Sequence, residues 1–330
     1  MRAVVATGPA EHRELEIIMA PIPLVHAGDV LIKVSAAGVN RADVMQRKGN
    51  YDPPPGETEI LGLECSGTIV AAGKDVDPGL LGAEVCALLA GGAYAEYVSV
   101  PAEHVLPVPE GVSLLDAAGI IEAAATVWSN VFALRPLASG IRVLVHGGSS
   151  GIGSMAIQMA RAFGAAVSAT VGSAEKAAFC RRLGADDIVN YREVDFAEAF
   201  AASGQSFDVI LDMVGGDYVD RNLGLLDRGG HLAIIGLQGG VRASVALEPL
   251  LQRNLTITGR GLRTRPRDEK TRILSELRRH VWPLFASGAA SATTYRTFDL
   301  AEAMEAHRLM EESSHLGKLL LTIDHSQKDG

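Results

Sequence analysis

A short strand, a glycine-rich turn and a helix follow one another between residues 142 and 165, and this segment constrains the fold more than any other. Residues 143–145 form a continuous apolar run, which is typical of a parallel strand covered on both faces. After the turn, apolar residues recur at helical spacing and predict one buried stripe: Ile152, Met155, Ala156, Met159, Ala160 and Phe163. Strand, turn and helix stand in the order of a dinucleotide-binding unit.

The small residues of the turn suit a pyrophosphate, because only glycine and serine let backbone N–H groups approach a phosphate closely at a helix N-terminus. The predicted contacts come from Gly148, Ser150, Gly151, Ile152 and Gly153. The match to G-x-G-x-x-G is imperfect, since Ser150 stands where the middle glycine belongs. A tight strand-to-helix turn that serves packing alone is the alternative interpretation.

The chain divides by pattern into a β-rich part and a part that alternates strand and helix. Residues 1–122 predict short strands at 3–7, 30–36, 67–71, 84–88 and 94–100, so we expect a small, irregular β-barrel. Residues 123–262 predict six strands in βα order, at 142–146, 166–170, 187–189, 207–212, 231–235 and 255–258. We therefore predict an α/β fold, a doubly wound parallel sheet plus the barrel. Helices at 268–285 and 300–310 and a strand at 318–323 place residues 263–330 back in the first domain.

Composition excludes several classes of protein. The 330 residues are 48% hydrophobic and carry a formal net charge of −9, which argues against a nucleic-acid binder. The N-terminus has no apolar segment typical of a signal peptide, and the longest uncharged stretch is interrupted by Gly and Ser, so we expect no membrane association. Three scattered cysteines, Cys65, Cys86 and Cys180, lack metal-site spacing. We interpret them as buried hydrophobes of a cytoplasmic protein.

The end of the second strand of the predicted parallel sheet favours NADPH over NADH. An NAD site usually places an acid there for the ribose 2′-hydroxyl, but residues 170–172 are Thr-Val-Gly. The hydroxyl of Ser173 and the ammonium of Lys176 suit a 2′-phosphate instead, with Gly172 standing where the acid would be, and Tyr191, just past the third strand, could close the far side of this pocket. The alternative is that Ser173 only caps the next helix.

The stretch 38–56, Gly-Val-Asn-Arg-Ala-Asp-Val-Met-Gln-Arg-Lys-Gly-Asn-Tyr-Asp-Pro-Pro-Pro-Gly, carries the most polar chemistry of the first domain. With Gly-Leu-Glu at 62–64, Val-His-Gly-Gly at 145–148, Asn-Tyr at 190–191 and Gly-Lys at 317–318, the chain resembles the zinc-free quinone oxidoreductases of the medium-chain dehydrogenase/reductase superfamily. The resemblance covers essentially the whole chain and extends to the NADPH-dependent branch. It implies a Rossmann domain plus a GroES-like domain, with the substrate in a cleft between them, and a homodimer.

The resemblance also assigns roles to residues. It places Asn40 and Tyr51 beside the nicotinamide and the quinone, with Asp43 supporting their loop. It assigns the following residues to the cofactor: Thr126 at the nicotinamide edge, Gly236 and Leu237 at the nicotinamide ribose, and Lys318 from the C-terminal segment. Without the resemblance, Asn40 and Asp43 could equally satisfy backbone groups, and Tyr51 could be a packing aromatic.

No metal is expected. In zinc-dependent relatives the ligands are Cys, His and Cys or an acid, and the resemblance places those positions near Asn40, Leu63 and Glu122. Neither thiolate nor imidazole remains there, and residues 88–101 contain no cysteine for a structural zinc lobe. His146, at a strand end, is interpreted as a hydrogen-bonded structural residue.

Three functions remain open. The first is metal-free hydride transfer from NADPH to a quinone, in which Tyr51 or water gives the proton. The second is NADPH-dependent reduction of an activated C=C bond, in an enone or enoyl thioester, and the third is nucleotide binding without turnover. The arginines at 260, 263, 265, 267 and 272 could bind an anionic substrate, but we interpret them as a solvated loop partly paired with Asp268 and Glu269.

Overall fold

The computed structural model describes residues 1–9, 13–134 and 140–325, and these form two compact units. Unit 1 comprises residues 1–125 and 263–330, and unit 2 comprises residues 126–262. The strands are β1 (Arg2–Thr7), β2 (Glu14–Met19), β3 (Asp29–Val39), β4 (Glu64–Ala72), β5 (Glu84–Leu88), β6 (Tyr97–Pro101), β7 (Val105–Pro107), β8 (Arg142–His146), β9 (Ala166–Val171), β10 (Asp187–Asn190), β11 (Phe207–Asp212), β12 (Leu226–Ile234), β13 (Thr256–Gly259), β14 (Thr294–Asp299) and β15 (Lys318–Thr322). The helices are α1 (Arg41–Arg47), α2 (Leu114–Ala117), α3 (Ile121–Val127), α4 (Gly151–Ala162), α5 (Ala174–Arg182), α6 (Phe196–Ala202), α7 (Tyr218–Leu225), α8 (Leu247–Arg253), α9 (Arg267–His280), α10 (Trp282–Ala286) and α11 (Ala303–Glu312).

Unit 2 is a six-stranded parallel sheet in the order β10-β9-β8-β11-β12-β13. From β8 the chain adds strands first on one side, β9 and β10, and then on the other, β11 to β13. The carboxyl end of β8 is therefore the switch point at which doubly wound folds place a nucleotide. Residues 143–145 of β8 are buried, as their continuous apolar run predicts. The predicted doubly wound sheet is confirmed.

Unit 1 is built on a seven-stranded sheet, in which β3 pairs with β4, β6 and β15. The inward residues of β3, β4 and β15 form one hydrophobic core with α11. Strand β15 comes from the C-terminal segment and is hydrogen-bonded to the end of β3, from Ala36 to Val39. This pairing brings residue 318 next to residue 40, although 278 positions of sequence separate them.

The C-terminal part of unit 1 differs from the prediction in two ways. The predicted helix over 268–285 is two helices, α9 and α10, because Pro283 has no N–H to donate to the preceding turn and begins a new helix as its second residue. The sequence predicts neither strand nor helix for β14, which pairs parallel with β15. Strand β2 is also missing from the prediction. Among the described residues, no helix is both long and apolar enough to span a bilayer.

Candidate functional site

The predicted site residues fall into two groups, one in each unit. Asn40, Asp43, Tyr51 and Lys318 lie in unit 1, and the other predicted residues lie in unit 2. Each group has its own network of contacts.

In unit 2, the glycine turn joins β8 to α4 with almost no free space. Gly147 has a φ of +63°, which favours glycine, and a Cβ on Gly153 would lie 2.3 Å from the carbonyl oxygen of Gly147. A Cβ on Gly148 would lie 2.8 Å from that of Ala169. Packing therefore requires glycine at the predicted positions Gly148 and Gly153.

Ser150 is the N-cap of α4, and its Oγ accepts the N–H of Gly153 at 3.0 Å. This cap takes up one of the N–H groups that the first turn of a helix leaves without intrahelical acceptors. The N–H groups of Gly151 and Ile152 belong to the same first turn, at the positive end of the helix dipole. A serine in place of the middle glycine thus has a structural role that the motif alone does not predict.

A second cluster lies at the carboxyl end of β9. Ser173 caps α5 by accepting the N–H of Lys176 at 3.3 Å, and its hydroxyl can still donate a hydrogen bond. A Cβ on Gly172 would lie 2.7 Å from the phenol oxygen of Tyr191 and 3.3 Å from Nε of Arg192. The structure therefore brings together Gly172, Ser173, Lys176 and Tyr191, and adds a second cation.

Arg192 was missed by the sequence analysis, although it directly follows the predicted Tyr191. Burial lowers the pKa of the Lys176 ammonium, and the positive charge of Arg192 lowers that pKa further. The positive charges of Lys176 and Arg192 thus act on each other, and Nε of Arg192 lies close to Gly172, so an anion bound here would be stabilised by both cations.

Met213, also missed, connects the glycine turn to the predicted Gly236 and Leu237. A Cβ on Gly147 would lie 2.7 Å from Sδ of Met213, and one on Gly236 would lie 2.7 Å from the Met213 carbonyl oxygen. Leu237 is half exposed and its Cδ2 lies over Gly215. The turns after β8, β11 and β12 are therefore neighbours, at the carboxyl edge of the sheet.

Behind this edge, a buried hydrogen-bonded chain fixes the turn after β11. Asp212 accepts the N–H groups of Val214 and Gly215 at 2.6 and 3.1 Å and the amide of Asn222 at 3.1 Å. The other end of Asn222 bonds the Nε2 of His146 at 2.7 Å, and Thr170 bonds its Nδ1 at 2.9 Å. His146 is a structural residue, as predicted. Thr126 lies in α3, where its carbonyl oxygen accepts the amide of Asn130 at 3.0 Å.

In unit 1, Asn40 and Lys318 are tied to a carboxylate that sequence reasoning did not single out. Glu64, fully buried, accepts the ammonium of Lys318 at 2.6 Å, the amide of Asn40 at 3.0 Å and the N–H of Glu122 at 2.9 Å. Lys318 also donates to Asn40 Oδ1 at 2.8 Å and to the Val39 carbonyl at 3.3 Å. The three ammonium protons thus have three acceptors within unit 1, so a bond to a cofactor would replace one of them.

Glycines make room for this buried ion pair. A Cβ on Gly38 would lie 2.4 Å from Oε1 of Glu64, and a Cβ on Gly119 would lie 3.2 Å from Cε of Lys318. The sequence indicates Glu64 only through its position in the Gly-Leu-Glu segment at 62–64.

Asp43 lies behind Asn40 and is fully buried. Its Oδ2 accepts the N–H of Asn40 at 2.8 Å and the hydroxyl of Tyr94 at 3.1 Å, and Tyr94 bonds Nε2 of His307 at 3.2 Å. Burial raises the pKa of the Asp43 carboxyl to about 7, against the opposing effects of the Asn40 hydrogen bond and the Lys318 charge. Asp43 thus accepts the backbone N–H of Asn40 in front of α1, which is the contact that the backbone-satisfying alternative describes.

Tyr51 is half buried in the loop after α1, under the guanidinium of Arg263. The guanidinium carbon lies 5.4 Å from the centre of the Tyr51 ring, and Nη1 donates to the Tyr51 carbonyl at 3.3 Å. The interpretation of the arginine run as a solvated loop is wrong for Arg263, which is 4% exposed. The pairing with Glu269 is confirmed for Arg265, at 3.0 Å, whereas Arg267 pairs with Glu103.

Comparison with known proteins defines the class first. The model of the alcohol dehydrogenase GroES-like domain matches residues 26–110, and the zinc-binding dehydrogenase model matches residues 151–279. Both units thus belong to one two-domain architecture, that of the medium-chain dehydrogenase/reductase superfamily of oxidoreductases.

Solved structures narrow the group. The chain is 30% identical to mycobacterial Rv1454c complexed with NADPH, and the match covers 98% of this chain and 99% of that one with a TM-score of 0.84. It is 28% identical to the Escherichia coli quinone oxidoreductase complexed with NADPH (97% and 99% covered, TM-score 0.83) and 26% identical to the CurK enoyl reductase (98% and 99%, TM-score 0.82). The chain belongs to the quinone oxidoreductase-like group of this superfamily.

Relatives among curated proteins are longer. The chain is 33% identical over 326 residues to the polyketide synthase GfsB of Streptomyces halstedii, and the match covers 97% of this chain but only 6% of that protein. It spans 13–14% of the mycobacterial polyketide synthases that it also matches.

One of the matched families is described as zinc-binding, but the positions that the resemblance assigns to zinc ligands do not carry suitable side chains. Both ends of the Asn40 amide are bonded, to Glu64 and Lys318, and Leu63 is a buried apolar side chain. Among residues 1–9, 13–134 and 140–325, no group of three or more His, Cys, Asp or Glu is placed to hold a metal ion. These residues do not fit a zinc ion.

Proposed function

We propose that the chain binds NADPH in unit 2 and transfers its hydride to a quinone without a metal. The observation that carries the proposal is the cluster at the end of β9, where Tyr191 and Arg192 stand over Gly172 beside Lys176. Two cations, a phenol and a serine hydroxyl match a phosphate dianion in charge and in hydrogen bonding. An NAD site would place an acid there, and the sequence has none.

The rest of the nucleotide fits the carboxyl edge of the parallel sheet. We assign the pyrophosphate to the start of α4, where the N–H groups of Gly151 and Ile152 and the dipole favour an anion. Any side chain at Gly153 would displace backbone there. Gly236 and Leu237, which pack on the turn after β11, are assigned to the nicotinamide ribose, and Thr126 to the nicotinamide edge.

When bound, NADPH supplies a hydride, and the quinone then needs one proton to become a hydroquinone. We assign this proton to the phenol of Tyr51, which gives it to the quinone oxygen and regains it from water. Asn40 is held in one orientation by Glu64 and Lys318, and Asp43 holds its backbone, so the Asn40 amide is preorganised. A quinone needs little electrophilic activation, so positioning and a proton source suffice.

The second candidate substrate is an activated C=C bond. It is favoured by the likeness to the CurK enoyl reductase and to polyketide synthases, and Tyr51 would then protonate the enolate oxygen or carbon formed by hydride addition. Both reactions use the same cofactor and the same proton donor, so only the substrate distinguishes them.

The test of the cofactor compares NADPH with NADH in the wild type, Lys176→Ala and Arg192→Ala. Loss of one charge-assisted bond to the phosphate should raise the Kd for NADPH about 10- to 100-fold and leave NADH nearly unchanged. Arg181→Ala, an exposed cation at the other end of α5, is the matched control. Equal effects on both nucleotides would remove the assignment.

The test of the substrate follows the loss of NADPH absorbance with ortho-quinones, enones and enoyl-CoA thioesters in parallel. Faster turnover of quinones supports the first candidate, and faster turnover of enoyl thioesters supports the second. Tight NADPH binding without oxidation by any of them would favour the remaining alternative, a nucleotide-binding protein without turnover.

For the assembly, we propose a homodimer that pairs β13 with its copy. β13 is the last strand in the order of the parallel sheet, and Ile257 on it is exposed. Light scattering should give the mass of two chains, and Ile257→Lys should shift the measured mass toward that of one chain.

The three cysteines are free and buried, and on this ground we propose a reducing, cytoplasmic setting.

A further inference from the structure

Arg263 is buried in unit 1, and the acids whose charges act on it, Asp43, Glu57 and Glu59, do so from beyond ion-pair distance. Its Nε donates to the Ala90 carbonyl at 2.6 Å and its Nη1 to the Tyr51 carbonyl at 3.3 Å, while Nη2 is buried without a partner. No carboxylate among the described residues lies within ion-pair distance of this guanidinium. A buried charge without a counter-ion is costly, and proteins rarely keep one unless its charge is used.

The group that faces this charge is the ring of Tyr51. A guanidinium 5.4 Å from a ring centre is within the range of cation–π attraction, which grows when both partners lose water. The hydrogen bond to the Tyr51 carbonyl fixes the backbone of the same residue, and the Ala90 bond anchors the guanidinium to the segment after β5. Arg263 therefore holds both the ring and the backbone of Tyr51.

The other charged groups near Tyr51 oppose a phenolate. Burial raises the pKa of the Tyr51 phenol, the positive charge of Arg263 lowers it, and the negative charges of Glu122 and Asp43 raise it again. Arg263 is thus the one cation among these groups that favours loss of the phenol proton.

We propose that Arg263 is a positioning residue for Tyr51, which fixes the phenol and supplies the positive charge that stabilises the phenolate after proton transfer. This rests on the proposed function, in which Tyr51 is the proton donor. The O–H bond of Tyr51 breaks, a new O–H bond forms on the reduced substrate, and the phenolate beside Arg263 later takes a proton from water. The two electrons come with the hydride of NADPH.

The first experiment does not depend on turnover. Tyrosine labelled with ¹³C at Cζ gives one NMR signal for each of the six tyrosines, and Tyr51→Phe identifies that of Tyr51. The signal should titrate at higher pH in Arg263→Gln than in the wild type, and Arg263→Lys should restore part of the difference because it keeps the charge. Arg260→Gln, an exposed arginine three residues earlier, is the control and should change nothing.

The second experiment measures turnover against pH. Arg263→Gln should lower kcat about tenfold, with a smaller effect on the KM for NADPH. It should also displace the alkaline limb of the kcat–pH profile to higher pH, because the pKa of the Tyr51 phenol rises when the positive charge is lost. In a Tyr51→Phe background the same substitution should have little further effect, because both changes act through one proton. If Arg263→Gln does not fold, the same kcat comparison is made with Arg263→Lys, for which we expect a smaller decrease in kcat.

The outcomes separate the two proposals. An unchanged Tyr51 titration in folded Arg263→Gln overturns the role of Arg263, whatever the substrate is. A shifted titration together with unaltered turnover in Tyr51→Phe would leave the charge interaction between Arg263 and Tyr51 in place but remove Tyr51 as the proton donor, and with it the role of Arg263 in the reaction. Additive effects of the two substitutions on kcat would also overturn the role of Arg263.

Discussion

The buried carboxyl of Asp43 should make unit 1 less stable as the pH rises, and Asp43→Asn should remove this dependence. In the folded protein burial raises the pKa of Asp43 to about 7, from 3.8 for an exposed aspartate. The folded state therefore prefers the protonated acid. The contribution to stability is fully present below the unfolded pKa and is lost as the pH rises through the folded pKa.

The magnitude follows from the two pKa values. At about 1.36 kcal/mol per pH unit, a pKa difference of about 3 corresponds to about 4 kcal/mol between pH values of about 4 and 8. Asp43 is fully buried, so solvent screening reduces this figure little, whereas relaxation of the Tyr94–Asp43 contact would reduce it. Asparagine keeps the size of the side chain and one acceptor oxygen but does not titrate in this range.

The assay uses the position of the two tryptophans. Trp128 lies in unit 2 and Trp282 in unit 1, so Trp128→Phe leaves a fluorescence signal that reports unit 1 alone. In this background, urea unfolding is measured between pH values of about 4.5 and 8, once with Asp43 intact and once with the added substitution Asp43→Asn. The free energy of unfolding of the protein with Asp43 intact, minus that of Asp43→Asn, should fall as the pH rises.

A matched carboxylate of unit 1 gives the opposite sign. The hydrogen bonds from Arg267 lower the pKa of Glu103, so the stability that this pair contributes is lost as the pH falls. Glu103→Gln should therefore lose relative stability most at neutral pH. A difference for Asp43→Asn that is flat or rises with pH, while Glu103→Gln behaves as expected, would refute the reasoning about burial.

Two further predictions concern packing. Gly153→Ala should destabilise unit 2 by roughly 1–3 kcal/mol and weaken NADPH binding, because its Cβ would lie 2.3 Å from the Gly147 oxygen, whereas Gly224→Ala has no atom within 4 Å and should be neutral. Equal melting temperatures of Gly153→Ala and Gly224→Ala would contradict the prediction that Gly153 is required by packing. Lys318→Met should cost unit 1 about 3–5 kcal/mol, since it leaves buried Glu64 without its ammonium. Adding Glu64→Gln should recover part of this loss in urea unfolding, and a full sum of both losses would show that the two side chains act independently.

Much of the fold was predictable because its signals are local. The β-branched run, the turn of small residues and the helical stripe over 142–165 depend on backbone sterics and on hydrophobic periodicity within a few residues. Strand β14 and the break between α9 and α10 were not predicted correctly. Pro283 is a local signal for the break. The strand β14, in contrast, depends on its pairing with β15, and the sequence of this short segment does not indicate that pairing.

The candidate site divides in the same way. The sequence determined that a small-residue turn begins α4, that no acid follows β9, and that Asn40, Asp43 and Tyr51 share one loop region, since these are properties of short segments. Only the tertiary structure decided that Lys318 and Glu64 hold Asn40 and that Arg263 lies over Tyr51, across 212 positions of sequence. The physical reason is that burial and the choice of charge partner are set by the packing of distant strands. An arginine in a polar stretch has the same local pattern whether it is solvated or enclosed.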